Sequence, residues 1–233
     1  MIYITGDTHG HQDRIDVFNR FLTKRDILII VGDFSFIFRN NEKEHRYLDE
    51  LAKLPYKICF IDGNHENFEY LNSLPMTMWN GGKVHFLKPN IIHLMRGQIF
   101  TIKKHTFFTF GGAFSPTRHM GIKGYNWWEE ELPSSQEYQE ALENLKAHDF
   151  KVDYILTHTC PKSTIYYMNM VPIRGDLDLT EFLQMIENQV TYQHWYFGHF
   201  HVDKKINKMM TCLLFNMVNL SNKKIIDTYY DNI

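Results

Sequence analysis

Cysteine is scarce in this chain of 233 residues, which contains only Cys59, Cys160 and Cys212. An odd number of widely separated cysteines excludes the disulfide framework of small secreted proteins and is typical of a reducing compartment. We therefore expect free thiols and a cytoplasmic location. Cys160 lies two residues after His158, but we expect it to be a small buried loop residue.

Long hydrophobic runs and a surplus of positive charge are also missing. No stretch approaches the roughly 18 apolar residues of a membrane span, and the first residues lack the basic start and apolar segment of a signal peptide. Lys and Arg number 25 against 27 Asp and Glu, a formal charge of -2. Bulk charge therefore does not indicate a protein that binds nucleic acid mainly by neutralising phosphates. We expect no membrane partner, and nucleic acid only as a substrate.

The sequence has no internal repeat and no linker rich in Pro, Gly or Ser, which predicts a single domain over residues 1–233. Short apolar runs alternate with amphipathic stretches through the first seventy residues, as in the βα units of a largely parallel sheet. The predicted strands are Ile2–Thr5, Ile27–Val31 and Lys57–Ile61, and the predicted helices cover residues 12–22 and 41–54.

The pattern changes after residue 82, where turn residues rather than helices separate the apolar runs. Four runs, at 83–87, 91–95, 98–102 and 106–110, predict an antiparallel meander. Ser134 and Glu137 form a capping box that opens a helix to about Ala147. Further strands are predicted at 153–157, 194–197, 204–207, 211–217 and 224–229, with a helix at 179–189.

Five turns that follow predicted strands contain side chains able to bind a metal. Taken singly, each is weak, because an Asp after a strand often caps a helix and a lone His is often a surface residue. Open α/β sheets place their ligand sites at these strand ends, and oxygen or imidazole donors at five of them exceed what turn chemistry requires. The candidate residues are Asp7, His9, Asp33, Asn64, His65, Glu66, His158, His199 and His201.

The ordered set Asp7-x-His9, Gly32-Asp33, Gly63-Asn64-His65-Glu66, His158 and Gly198-His199-Phe200-His201 resembles the complete signature of the calcineurin-like metallophosphoesterases. The resemblance spans about residues 5 to 201. It implies an α/β (α+β) fold, a four-layer αββα sandwich with two mixed β-sheets flanked by helices. It also implies a hydrolase acting on phosphoric ester bonds.

The same resemblance implies a cofactor of two divalent metal ions. One would bind Asp7, His9 and His201, the other Asn64, His158 and His199, and Asp33 would bridge them. We expect the residue between the two ligands of each Asp-x-His or His-x-His pair to point away in an extended segment. Carboxylate, imidazole and amide donors suit Mn (manganese), Fe, Zn or Ni rather than calcium. A water deprotonated between the two cations is the expected nucleophile.

His65 and Glu66 have a different implied role. By resemblance, the His65 imidazole acts as a general acid or stabilises charge on the phosphate, unless its role is only positional. Glu66, or another acid, would hold the imidazole in its protonated form. Together with Asp33, these two residues are the catalytic candidates.

The segment from Ala113 to Leu132 has no predicted element, and a loop of that length in a compact domain is usually functional. Arg118 and His119 are candidates for phosphate contact, and Trp127 is a candidate for stacking on the substrate. Alternatively, Trp127 and its neighbour Trp128 only anchor the loop. Arg14, close to the first turn, is expected on a helix surface.

The resulting hypothesis is a metallophosphoesterase that hydrolyses phosphate mono- or diesters. We expect its substrate to be a small soluble phosphoester. Phosphatase and phosphodiesterase activities share the same ligand set, so the motifs leave both open. A nuclease and a protein phosphatase are alternatives with the same site, and a non-catalytic metal-binding scaffold is a third. The sequence leaves the oligomeric state open.

Overall fold

A computed structural model describes residues 1–228 of the chain. These residues contain fourteen strands. Strands and helices alternate in the first seventy residues, where amphipathic stretches separate the apolar runs. In chain order the strands are β1 (Ile2–Thr5), β2 (Ile27–Val31), β3 (Lys57–Ile61), β4 (Met76–Trp79), β5 (Gly82–Lys88), β6 (Ile91–Leu94), β7 (Gln98–Ile102), β8 (His105–Phe110), β9 (Tyr154–Thr157), β10 (His194–Phe197), β11 (Lys204–Lys205), β12 (Met210–Cys212), β13 (Asn216–Asn219) and β14 (Lys224–Asp227).

The strands form two mixed sheets. The first has eight strands in the order β14-β13-β1-β2-β3-β6-β5-β4, and the second has six in the order β11-β12-β10-β9-β8-β7. The central strands β1, β2, β3 and β6 run parallel, as do β8, β9, β10 and β12. Antiparallel strands complete the edges of both sheets.

Within the described residues, six α-helices cover the outer faces of the two sheets. The helices are α1 (Gln12–Phe18), α2 (Glu42–Leu51), α3 (Phe68–Ser73), α4 (Ser135–Ala147), α5 (Lys162–Tyr167) and α6 (Leu177–Gln189). Buried residues of α1, α2 and α3 pack on the first sheet, and those of α4, α5 and α6 pack on the second. A third apolar cluster lies between the sheets. The predicted four-layer αββα sandwich is confirmed.

The alternation of side chains along a strand explains why β2 is apolar throughout. Ile29 and Val31 belong to the cluster between the sheets, whereas Leu28 and Ile30 belong to the cluster under the helices. All four side chains are fully buried. Because successive side chains point to opposite faces, both sets of side chains in β2 lie in apolar surroundings.

Two predictions about the chain after residue 82 are wrong. The meander is two separate hairpins, since β5 and β6 pair in the first sheet whereas β7 and β8 pair in the second. The predicted strand at 211–217 is divided between β12 and β13, which also lie in different sheets. Between them, the Asp203 carboxylate accepts hydrogen bonds from three consecutive N–H groups, each 2.9 Å away, and so interrupts the ladder.

Other differences are smaller. The first helix ends at Phe18, four residues before its predicted end, and helices α3 and α5 were not predicted. The capping box is confirmed: the Ser134 N–H donates to Glu137 Oε2 at 2.7 Å, and the Glu137 N–H donates to Ser134 Oγ at 3.3 Å. Residue 229 of the predicted last strand lies outside the described residues. Within residues 1–228, no helix has both the length and the apolar character needed to cross a bilayer.

His194, on β10, links the stability of the second sheet to pH. Burial, followed by the cations of Lys205 and Lys223, lowers its pKa to about 4. An unfolded histidine titrates near a pKa of about 6.5, so between these values the unfolded chain binds a proton that the folded chain does not. The contribution of the neutral His194 to the free energy of unfolding is therefore complete above the unfolded pKa. It is lost as pH falls through the window between the two pKa values.

We expect His194→Gln to weaken this pH dependence, because the amide keeps a partner for Thr211 Oγ1, now 2.8 Å from His194 Nε2, without a titrating group. Urea unfolding from neutral pH down to the folded pKa measures the slope of the free energy of unfolding. His148→Gln, at an exposed position, is the control and should keep the wild-type slope. An unchanged slope in the His194 variant contradicts the assignment.

Candidate metal centre

The first turn is tied to the last turn of the predicted set. Asp7 follows β1, is buried, and accepts hydrogen bonds at both carboxylate oxygens from the His199 N–H, each at 3.1 Å. The peptide carbonyl of Asp7 accepts a hydrogen bond from Arg14 at 3.0 Å. Two segments far apart in sequence are thereby joined at one carboxylate.

Arg14 is buried, so its predicted place on a helix surface is wrong. Its guanidinium also donates to the Leu214 carbonyl at 2.8 Å, and it lies between the rings of Phe18 and Phe215. The chain leading into β13 covers this side of α1, a long-range contact that helical periodicity does not reveal. Arg14 is a positioning residue for the Asp7 turn.

Four predicted ligands converge on one point. Donor atoms of Asp7, His9, Asp33 and His201 all lie within 4.8 Å of one another. His9 Nε2 is 3.0 Å from His201 Nε2, and His201 Nε2 is 3.4 Å from Asp7 Oδ2. This mixture of carboxylate and imidazole donors suits a divalent first-row metal ion.

A second convergence is centred on His158, which is fully buried. Its Nδ1 is 3.0 Å from the Val31 carbonyl, so this nitrogen donates a proton and Nε2 is the ring atom that faces the donor group. Nε2 lies 3.2 Å from Asn64 Oδ1 and 3.3 Å from Asp33 Oδ1. Donation of the other ring N–H to a carbonyl is the usual support of a metal-binding histidine.

The remaining members of the predicted set border these two groups. The His199 ring centroid is 4.9 Å from that of His158. The Asn64 amide donates to Ser115 Oγ at 3.1 Å, which turns Asn64 Oδ1 toward His158. Asp33 lies between the two groups, with Oδ1 facing His158 and Oδ2 3.7 Å from His9 Nε2.

The electrostatics of the cluster fit a cation. Imidazoles lie within 4 Å of both buried carboxylates, Asp7 and Asp33. Burial acts against a charged His158, yet the Asp33 carboxylate raises the pKa of this imidazole to about 10. Burial and the His158 charge lower the pKa of His199 to about 3. A proton therefore sits beside Asp33 where a divalent cation would neutralise the same charge.

The backbone of these turns differs from the expected extended segments. His9, Asp33, His199 and His201 all have positive φ, at 47°, 47°, 68° and 51°. Side chains with a Cβ rarely adopt this left-handed conformation, and such residues concentrate at functional sites. Sharp turns, rather than an alternating strand, bring the paired ligands to one side.

Gly32 and Gly198 leave room for the ligands. A Cβ on Gly32 would lie 2.0 Å from His158 Nδ1, and a Cβ on Gly198 would lie 2.1 Å from Asp7 Oδ1. Gly32 also has a φ of 94°. The glycines before Asp33 and His199 are thus required by close approach of the ligand side chains.

His65 borders the cluster, but Glu66 is placed differently from expectation. The His65 N–H donates to Asp33 Oδ1 at 2.8 Å, and its ring lies 5.3 Å from the His9 ring. The buried Glu66 carboxylate accepts from the N–H groups of Phe34 at 2.8 Å and Ser35 at 3.2 Å. It thus supports the Asp33 turn rather than the His65 imidazole. Burial, and then the Asp33 charge, raise its pKa well above the usual range.

The loop from Ala113 to Leu132 packs beside the cluster through its own contacts. Arg118 donates to the Trp128 carbonyl at 3.1 Å and lies over the Trp127 ring at 4.2 Å. Trp127 is half-buried, Trp128 is buried and His119 is exposed. Arg118 and Trp127 therefore hold the loop together in this conformation, as in the anchoring alternative, while His119 faces solvent.

Sequence reasoning missed Phe38 and Arg39. The Phe38 ring lies 5.7 Å from the His65 ring and 5.5 Å from Trp128. Arg39 stacks on Tyr125 at 3.9 Å and donates to the Tyr125 carbonyl. Both lie in the segment rich in Phe that follows Asp33, and its sequence contains no motif of a binding site. Only their position beside the loop in the structure indicates that they border the site.

Three cavities border the cluster on different sides. A cavity of about 380 Å³ includes His9, His65, Phe38, Lys43 and Tyr47 in its wall. Another of about 450 Å³ is bordered by His199 and His201, and its wall is largely apolar. A third, of about 310 Å³, is bordered by Asp7, His9 and His201.

Comparison with curated proteins finds distant relatives that share one name, lariat debranching enzyme. Lariat debranching enzyme A of Xenopus laevis is 24% identical over 238 residues, covering 86% of this chain and 42% of the relative. The human lariat debranching enzyme is 22% identical, with the same coverages of 86% and 42%. The chain thus spans about two fifths of the length of these relatives.

Comparison with solved structures supports the fold. A candidate 5′-nucleotidase from Staphylococcus aureus superposes with a TM-score of 0.51 at 14% identity, covering 96% of this chain and 52% of that one. Another solved structure has a TM-score of 0.55 at 12% identity, with 97% and 96% covered.

The family model described as calcineurin-like phosphoesterase matches residues 1–203. This range includes every turn of the candidate centre, from Asp7 to His201. With the four-layer sandwich and the converging donors described above, the match shows that this chain belongs to the calcineurin-like phosphoesterase family and is a hydrolase acting on phosphoester bonds.

Proposed function

We propose that the chain is a phosphodiesterase that cleaves diesters between nucleosides. The observation that carries the proposal is the pair of larger cavities, which border different histidines of the donor cluster. His9 and His65 border one, and His199 and His201 border the other. A phosphate diester has two organic substituents, and each cavity can hold one of them. A monoester would leave one cavity without a partner.

Two divalent metal ions fit the residues present. Asp7, His9 and His201 would hold one, Asn64, His158 and His199 would hold the other, and Asp33 would contact both. When bound, such a pair polarises a phosphoryl group and supplies a nucleophile at neutral pH. Protein atoms supply the rest: the His158 Nδ1–H and the Asn64 amide fix two donors in place, and the glycines before Asp33 and His199 admit the ligands.

His65 is the residue proposed to act on the leaving group. Its ring borders the His9 cavity, and its backbone N–H donates to Asp33 Oδ1, so the residue is held beside the donor groups without being part of either. A histidine so placed would donate a proton to the leaving oxygen as the ester bond breaks.

We expect His65→Asn to keep the wild-type metal content and to lower turnover by about 10²–10⁴, the usual share of general acid catalysis. Metal analysis and steady-state hydrolysis of a chromogenic diester measure the two effects. His148→Asn, at an exposed position, serves as the control. Turnover near that of the control would remove His65 from the mechanism.

A nucleic acid substrate is supported by the relatives, whose name indicates that they debranch lariats. Lys43 and Arg39 lie at the His65 side, over the rings of Tyr47 and Phe38, and provide positive charge for a polynucleotide arm. The small substrate expected from the slightly acidic composition remains the alternative. Free and buried thiols at Cys59, Cys160 and Cys212 support the cytoplasm as the proposed compartment.

The test compares four substrates after removal of metal by a chelator and reconstitution with Mn²⁺, Fe²⁺, Zn²⁺ or Ni²⁺. These are bis(p-nitrophenyl) phosphate, p-nitrophenyl phosphate, and uniform oligonucleotides with 2′-5′ or 3′-5′ linkages. We expect metal-dependent cleavage of diesters to exceed that of the monoester, with activity on at least one oligonucleotide. A preference for the monoester would favour a phosphatase, and two bound metals without any cleavage would favour a scaffold.

A further inference from the structure

The cavity on the His199 side differs in character from the one on the His65 side. Its outer wall contains Met170, Val171, Pro172 and Ile173, and Phe200 lies at its inner end beside the two histidines. Met170, Val171 and Ile173 are also exposed to solvent. Because the cavity opens directly onto the candidate metal centre, a group that fills it would belong to the substrate being cleaved.

One acidic residue interrupts this apolar wall. Asp176, just before α6, is only 4% exposed and borders the cavity. Its Oδ1 accepts from the Phe114 N–H at 3.0 Å. A carboxylate offers about four acceptor positions, so Asp176 retains capacity for a further donor from inside the cavity.

An occupant must therefore combine apolar faces with an N–H or O–H donor at one edge. A hydrocarbon chain would pack on the wall but would leave the buried carboxylate without that further partner. A sugar or a phosphate would lose its hydration against the apolar wall without forming hydrogen bonds in exchange. A nucleobase has flat faces that pack on side chains such as Met170 and Phe200. Its exocyclic amino group supplies the donor.

We propose that this cavity binds the nucleobase on one arm of the diester, and that Asp176 accepts a hydrogen bond from its exocyclic amino group. Adenine, cytosine and guanine contain this group, whereas uracil presents a carbonyl in its place. The preference rests on the proposed action on nucleoside diesters. Asp176 thereby becomes a specificity-determining residue outside the metal ligands.

The test compares binding of cytidine and uridine 5′-phosphonates, in which a methylene group replaces the ester oxygen, to the metal-loaded protein. Cytosine and uracil differ in the group facing the carboxylate, while the phosphonate and ribose are shared, so the ratio of the two Kd values isolates the base. Burial raises the pKa of Asp176 to about 6. Calorimetry is therefore done about two pH units higher, where the carboxylate is ionised.

We expect the wild type to bind the cytidine ligand about tenfold tighter, the value of one hydrogen bond to a charged acceptor. Asp176→Asn keeps an oxygen for the Phe114 N–H and offers an amide N–H in place of the second oxygen, so the preference should shift toward uridine. Asp178→Asn, an exposed acid two residues later in the same helix turn, should keep the wild-type ratio. A merely structural role for Asp176 would change both Kd values together.

Equal Kd values for the two ligands, or a ratio that is unchanged in Asp176→Asn, would overturn the inference. Hydrolysis of the chromogenic diester by the same preparation separates this failure from failure of the proposed function. Diester cleavage without base preference would leave the phosphodiesterase in place and remove the base site. Base preference without diester cleavage would support the base site and remove the phosphodiesterase.

Discussion

Asp33→Asn is expected to lower diester turnover by at least about 10³-fold and to leave fewer than two metal ions per chain. The two oxygens of Asp33 face different donor groups, His158 at 3.3 Å and His9 at 3.7 Å. An amide presents one oxygen and no charge, so it can support only one of the groups. Metal ions stabilise transition-state charge by several kcal/mol, and each 1.36 kcal/mol is about tenfold in rate.

The substitution should change the chemistry of the turn more than its conformation. The introduced amide oxygen can still accept the His65 N–H that now donates to Asp33 Oδ1, and the peptide carbonyl keeps the Thr8 and His9 N–H groups. Metal analysis and turnover are compared with Asp49→Asn, which removes an exposed carboxylate from α2. Two bound metals with turnover within tenfold of that control would contradict a bridging position for Asp33.

Gly32→Ala is expected to unfold the centre locally and to remove metal from the His158 group. The added Cβ would lie 2.0 Å from His158 Nδ1, and the residue has a φ of 94°. His158 is fully buried and donates to the Val31 carbonyl, so its ring has no free space to occupy. Overpacking of about 1–3 kcal/mol adds to the strain of about 1–2 kcal/mol for a left-handed alanine.

Gly124→Ala separates these two effects. Gly124 has a φ of 75°, but a Cβ there meets nothing within 4 Å, so only the backbone strain applies. Urea unfolding in a chelator gives the loss of stability of each variant, and metal analysis after reconstitution gives its occupancy. Equal destabilisation of the two variants, with equal metal content, would show that the close approach at Gly32 is not significant.

The order of the elements could be predicted where local signals agree with the fold. The first three strands can be predicted at their observed bounds because apolar side chains fill most of their positions on both faces, and α4 can be predicted from its capping box. The turns after the strands contained the donors. What failed depends on contacts distant in sequence: nothing near Met95 or Leu213 indicates that the chain passes from one sheet to the other.

Within the site, residue types could be predicted but not their surroundings. Arg14 is surrounded by Phe215 and Leu214, two hundred residues away, so its burial has no local signal. Glu66 follows His65 directly, yet its side chain reaches Phe34 and Ser35 on the neighbouring turn. The left-handed conformation of His9 and His201 is likewise imposed by the packing of turns from several strands. The proposed ligand set stays a prediction until metal analysis tests it.

The pairing of β1 with β13, in which Tyr3 is opposite Asn219, affects the order in which the chain folds during translation. During translation, Asp7 leaves the ribosome long before the His199 N–H that will bind both of its oxygens, 192 residues later. Until then β1 has one unpaired edge and the Asp7 carboxylate lacks these backbone donors. Strand pairing of such high sequence separation is slow, so the nascent chain would be exposed to aggregation and would need protection. Metal capture should accordingly come late in biosynthesis, after the turn with His199 and His201 has been made and packed against Asp7.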